Sequence, residues 1–215
     1  MTDSVIGGDV STTNIHITQN NGIQWPSFAL VTAALILCSI GMMTDAWAVQ
    51  EMEDEILGVP VSVEIEMGLD DITTTSCMGA DCTIAEDDLG SMSDNCTTLA
   101  EQSGLNEEQT EDACGNTQDT ATAGFVGIIF ITLGIVVMLF SILSAFLGTK
   151  GIEMPFSQYY PGVGAAVILV GIISWKLILP EGEATLGYSA RLTVAGLLAS
   201  AMAGTYLTIC HKFDK

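Results

Sequence analysis

The amino-acid sequence predicts a membrane all-α protein: a bundle of four transmembrane helices with a small disulfide-stapled, strand-containing extracellular loop domain. Three observations lead there. Four long apolar runs divide a chain of 215 residues. Of its 26 Asp and Glu, 20 fall between Asp45 and Asp119, a stretch without any Lys or Arg. Four of the six Cys fall in that same stretch. Acid and apolar surface are therefore segregated, which reconciles a net charge of −21 with a mean hydropathy of +0.48. A chain this apolar is not a disordered acidic tail. Five cations in all cannot neutralise a phosphate backbone, so no nucleic-acid partner is expected.

Residues 1–26 read as a cytoplasmic tail, and the first span, 27–47, meets no charge until Asp45. Ala46 and Ala48 resemble a signal-cleavage site. The residues upstream hold no Lys or Arg, however, and the run is too long for a signal's apolar core, so an uncleaved helix is expected. Residues 48–122 form the acidic loop. The second span, 123–147, has 25 residues and no ionisable group, more than a hydrocarbon core of ~30 Å requires at ~1.5 Å per residue. A cytoplasmic loop, 148–161, leads to the third span, 162–179. A short outer loop, 180–191, leads to the fourth, 192–209, and residues 210–215 follow.

Charge sets the orientation. Lys150, Lys212 and Lys215 mark the cytoplasmic side, which puts both termini inside and the acidic loop outside a plasma membrane. Glu181 and Glu183 fall on the outer side too. Lys176 and Arg191 depart from the rule but lie next to that acidic surface. Lys176 is expected to snorkel to the outer headgroups beside Trp175, with Asp45 as its partner.

Cys77, Cys82, Cys96 and Cys114 in one exported segment predict two disulfides, with all three connectivities open. Cys38 and Cys210 sit in or at the end of apolar runs. Asn95, Cys96 and Thr97 form a glycosylation sequon. Within the loop, Val61, Val63, Ile65 and Met67 alternate with Ser62, Glu64 and Glu66, which predicts a half-buried strand over 59–67. Gly68 ends it, Asp70 and Asp71 form a turn, and Thr73 to Thr75 favour another strand. Asn106 caps a short helix through Glu107, Glu108 and Glu111. Asp81, Glu86, Asp87, Asp88 and Asp94 crowd two of the cysteines and are the candidate ligands for calcium, the one cofactor considered. Their spacing is not that of an EF-hand, and a solvated acidic surface is the competing reading.

Gly127, Gly134, Ser141 and Gly148 recur every seven residues in the second span. Ala195, Ala199 and Ala203 recur every four in the last, as do Gly196, Ser200 and Gly204. Such seams let helices approach closely in lipid, either within the bundle or in a homo-oligomer. Mid-span carboxylates are absent, which argues against a pump. His16 and His211 have no companions at metal-ligand spacing, and no Gly-rich phosphate loop follows a strand, so the protein is expected not to be an enzyme.

The four spans, a long cysteine-bearing loop after the first, and Trp47, Gly68, Leu69 and then Cys77 with Cys82 or Cys96 together resemble the claudin and peripheral-myelin-protein superfamily. In that family the first outer loop carries a Trp, a Gly-Leu-Trp and two Cys on a small sheet standing on the bundle. Asp70 stands in place of the second Trp, the cysteine spacing differs, and two further Cys are present. The resemblance implies side-by-side assembly in lipid and contacts through the outer loop with membrane or extracellular proteins. The expected function is accordingly claudin-like adhesion, scaffolding or an accessory-subunit role. A cation-selective pore with an acidic vestibule is the alternative.

Overall fold

The computed structural model of the protein describes residues 24–56, 59–148, 154–180 and 185–213. In chain order these form α1 (Gln24–Met43), β1 (Ala48–Ile56), β2 (Val59–Met67), β3 (Asp71–Met78), β4 (Asp81–Asp88), α2 (Leu89–Gln102), α3 (Glu107–Gly148), α4 (Tyr160–Ile178), β5 (Thr185–Leu186) and α5 (Tyr188–Phe213). A 3₁₀ turn over Ser157–Tyr159 introduces α4. Four of the helices, α1, α3, α4 and α5, are long and apolar enough to cross a membrane.

These helices pack around a core that includes Val31, Ile131, Met138, Ile168 and Trp175 and approach most closely at glycines. A Cβ at Gly134 of α3 would overlap Ile168 and the carbonyl of Gly164 on α4, and one at Gly171 would overlap Phe130. A Cβ at Gly41 of α1 would meet the Thr193 hydroxyl on α5, and one at Gly196 would meet Cys38 and the Ala34 carbonyl. Gly204 of α5 lies against the backbone of Gly162 on α4, and Ser200 donates to the Pro161 carbonyl at 2.8 Å. Thr132 of α3 reaches Met42 Sδ of α1 at 3.5 Å. Close approach of small residues suits helices that gain nothing from hydrophobic burial against one another in lipid.

The packing seams read from the sequence divide on inspection. Gly127 lies against Leu69 and Trp175, Gly134 against Ile168, and Ser141 is buried. Gly196, Ser200, Ala203 and Gly204 face inward on α5, Ala199 is half-buried and Ala195 is exposed. Gly148 is the last residue of α3. Gly164 and Gly171, again seven apart, form the matching seam on α4.

Several boundaries move. The first span was expected over 27–47, but α1 begins at Gln24 and ends at Met43, so Trp47 lies in the turn into β1. The last span, expected over 192–209, extends from Tyr188 to Phe213. The short helix expected after Asn106 is the start of α3, which runs unbroken for 42 residues into the apolar run at 123–147. Asn106 does cap it: Gln109 N donates to Asn106 Oδ1 at 2.9 Å, and Asn106 N donates to Gln109 Oε1 at 3.1 Å. This is a reciprocal capping box.

The acidic segment forms a head. Its antiparallel sheet has the order β4-β3-β2-β1-β5. The strand over 59–67 has the expected bounds, while Asp71, expected in a turn, opens β3. β5 comes from the segment between α4 and α5 and pairs with β1 at Ala48↔Leu186, so the expected short outer loop contributes the sheet's edge. The β3–β4 hairpin turns at Gly79, whose φ of 63° sits at the first central position, where a type II′ turn favours glycine. After β4, α2 doubles back onto α3. Gly104, with φ 75°, ends α2 as Leu105 N bonds to Ala100 O and Gly104 N to Glu101 O, a Schellman-type stop.

Two disulfides staple this head. Cys77–Cys82 joins directly opposed residues of β3 and β4, and Cys96–Cys114 ties α2 to α3. Cys38 and Cys210 are free. Residues 1–23, 57–58, 149–153, 181–184 and 214–215, with His16, Lys150, Glu181, Glu183 and Lys215, lie outside the described residues.

The two bridges close loops of different length, with sequence separations of 18 and 5. Chain-entropy arithmetic assigns about 3 kcal/mol to the first and about 2 kcal/mol to the second. Replacing Cys96 and Cys114 by Ala should therefore lower the urea midpoint of head unfolding more than replacing Cys77 and Cys82. Circular dichroism of the purified variants tests the order, and equal or reversed losses contradict it.

Candidate functional site at the sheet–helix junction

The sheet is seated on the helix ends through Trp47. Its ring is fully buried, and its indole Nε1 donates to the Gly41 carbonyl at 2.7 Å, filling an acceptor at the end of α1. The ring meets Trp175 of α4 edge-on, with centroids 5.4 Å apart and planes at 67°, an arrangement favoured by the aromatic quadrupole. The backbone of the same residue starts the sheet on both sides: Trp47 N bonds to Met67 O, and Gly187 N bonds to Trp47 O. One residue thus joins α1, α4, β2 and the segment that carries β5.

Trp175 is therefore part of this buried joint. Lys176 is exposed beside it. Asp45 contacts the carboxyl of Asp71 in place of the expected Lys176. Arg191, expected to pair with acid, donates from Nε to the Leu186 carbonyl at 2.9 Å.

Gly68 and Leu69 complete the joint. Gly68 N bonds to Asp71 O, and a side chain at position 68 would collide with Asp71 Oδ1. Leu69 is buried, with its carbonyl pressed against Gly124 of α3, where a Cβ has no room. Trp47, Gly68 and Leu69, named separately in the sequence, thus meet at one place. Gly41, Gly124, Gly187 and Trp175 belong to it too, and only their partners many residues away reveal that.

Asp71 opens β3 at this joint. Its Oδ1 is enclosed and meets no donor. Burial pushes the carboxyl up to about 6, helped by the negative charges of Asp45, Asp70 and Glu86 and by a hydrogen bond with Asp45.

The strand register sorts the rest of the head into two faces. Glu51, Glu53, Glu55, Glu64, Glu66 and Glu86 share one face, with Glu51 directly opposite Glu64. The Cys77–Cys82 bridge lies on that face. The other carries Met52, Val61, Val63, Ile65 and Met78, with Val59 at the tip, interspersed with Asp54, Thr74, Ser76 and Thr83. The five candidate calcium ligands are not gathered. Asp81, Glu86, Asp87 and Asp88 spread along β4 on alternating faces, Asp94 sits on α2, and Asp88 caps α2 by accepting from Ser91 N at 2.6 Å. Among the described residues no group of three or more His, Cys, Asp or Glu could hold a metal ion. Asn95 is exposed on α2 next to the bridged Cys96.

No protein-family model and no curated protein matches the chain. The joint makes its own prediction. Because the folded-state pKa of Asp71 is raised, the folded protein binds more protons than the unfolded chain between the ordinary carboxylate range and about 6. This group therefore favours folding below that window, and the contribution is lost as pH rises through about 6. Asp71→Asn should melt at a higher temperature than the wild type at pH 7.5, with the difference shrinking toward pH 4.5. A variant less stable at pH 7.5 would contradict the assignment.

Proposed function

We propose that the chain is a non-enzymatic, multi-pass membrane protein of claudin-like architecture. Its four apolar helices form a bundle, and its acidic head stands on the outer side, with both termini inside the cell membrane. The head makes protein contacts, in an adhesion, scaffold or accessory role. The observation that carries this reading is the joint at Trp47. It fixes the sheet rigidly to the helix ends, as a contact module requires, and it brings Trp47, Gly68 and Leu69 together at the root of a sheet whose far β3–β4 hairpin carries a disulfide. These are the positions on which the resemblance to claudins rests. A sheet with one acidic face and one apolar face also suits recognition better than catalysis, because its titratable groups are nearly all of one type.

The head contains no Lys, so amine-directed reagents cannot report on it. Carboxyl-directed cross-linking of native membranes with mass-spectrometric readout should recover head residues joined to a defined membrane or extracellular protein, or to a second copy. Recovery of links only within one chain would reject the contact role.

Cation conduction is the second reading, favoured by the six glutamates that share one sheet face. Such a face raises the local cation concentration. The helix interfaces are filled by side chains such as Ile131, Met138 and Ile168 and by close approach at Gly41, Gly134 and Gly204, so a pathway would have to run between copies. Liposomes containing the protein should then give a cation-selective reversal potential in a salt gradient, and a zero potential rejects conduction.

A further inference from the structure

The head is a single sheet, and its apolar face has no second layer. Met52, Val59 and Met78 are 46%, 39% and 58% exposed, while Val61, Val63 and Ile65 are only half-buried. No described element therefore covers this face beyond its root, where Ala48 and Met67 pack on the helices. Folded domains bury the apolar side of a sheet against another layer, and a contiguous exposed patch of a few hundred Å² marks an interaction surface. Taking strands ~4.8 Å apart and rising ~3.4 Å per residue, the uncovered face, in which Asp54, Thr74 and Ser76 lie among the apolar side chains, measures about 400 Å².

We propose that this face docks against the same face of a second copy, two heads closing into a two-sheet sandwich. The inference rests on the contact role proposed above and names its partner.

Three features select a second copy. The first is orientation. β1 leaves the helix ends at Ala48 and β2 returns there at Met67. Two heads rooted in one membrane therefore hold their strands side by side, and facing sheets meet within the ~30° of an aligned sandwich. The second is charge. The stretch from Asp45 to Asp119 has 20 acids and no cation, so an acidic face cannot receive a copy, whereas joined apolar faces turn all six glutamates outward. The third is area. Two copies would bury about 800 Å², short of the ~1,200 Å² that a stable interface in solution needs. The pairing therefore depends on both chains being held in one bilayer, where tethering raises their effective concentration. Asp54, Asp81 and Asp87 rim the face and repel their counterparts, so association must strengthen with salt.

The test uses the full chain in its membrane, with the photoreactive residue p-benzoylphenylalanine at position 52 on the apolar face or at position 53 on the acidic face. Illumination from position 52 should give a cross-linked dimer whose yield rises several-fold between about 0.1 and about 1 M NaCl as the screening length contracts. Position 53 should give none. Met78→Glu, at an exposed site that tolerates the change, should abolish the dimer, and Val63→Glu should repeat that result. A link from position 52 to a different protein, or a yield that falls with salt, overturns the second copy while leaving the contact role of the head intact. Silence at position 52 alongside carboxyl-directed links elsewhere on the head does the same. Silence from every head position overturns both.

Discussion

The buried contact of Trp47 with Trp175 is the constraint on which the rest of the architecture depends. A sheet rising from a set of apolar helices must change its packing partner within a few residues, from helix side chains to strand neighbours. Trp47 accomplishes this in one step. Its ring belongs to the helix layer, its indole N–H satisfies the Gly41 carbonyl, and its backbone bonds to both Met67 and Gly187. An unpaired carbonyl at a helix end costs free energy unless something donates to it, so the same bond completes α1 and orients β1. The glycines around it follow from that geometry. Leu69 can press its carbonyl onto α3 only where residue 124 has no side chain.

From this joint the head inherits its direction, and the two stabilising devices within it act where the joint does not reach. Cys77–Cys82 holds the far hairpin of the sheet, and Cys96–Cys114 holds α2 against the part of α3 that extends beyond its apolar run. That part of α3 carries Glu107, Glu108, Glu111, Asp112 and Asp119. It is polar nearly all round and gains little from burial. A helix of this kind persists because its apolar continuation nucleates it, which removes the costly first turn, and because the disulfide and the Asn106–Gln109 box close its free end.

How far the sequence foretells this depends on whether the signal is local. Apolar runs reveal the long helices because hydropathy is a property of contiguous residues, but hydropathy reports the solvent and says nothing of where a helix ends. The onset of apolarity at Ala123 is thus mistaken for the start of a helix that begins at Glu107. Alternation reveals β2, which has one apolar face. It misses β1, where Glu51, Glu53 and Glu55 on one face sit among Met52 and Asp54 on the other. It misses β4 too, whose residues are exposed on both faces; both strands are strands because β2 and β3 supply the hydrogen bonds. The pairs Trp47–Trp175 and Asp45–Asp71 join residues distant in the chain. Trp47, Gly68 and Leu69 could be singled out only through a family resemblance, and their meeting place only from the fold.

The charge of −21 takes on a different meaning once it is distributed over this framework. Opposed like charges such as Glu51 and Glu64 destabilise a sheet pair, so the head holds a repulsion that its backbone hydrogen bonds and disulfides must exceed. That repulsion is not uniform. It concentrates on one face and at the root, where burial and the neighbouring carboxylates push the Asp71 carboxyl up to about 6. The glutamate face has no enclosed counterpart and can relieve itself only through mobile cations. Because screening lengths shrink from ~10 Å at 0.1 M to ~3 Å at 1 M salt, the cost of that face falls steeply with ionic strength. The cost at Asp71 changes little, since an enclosed oxygen is screened poorly. The head therefore carries two electrostatic loads that answer to different variables, salt on the open face and protons at the joint.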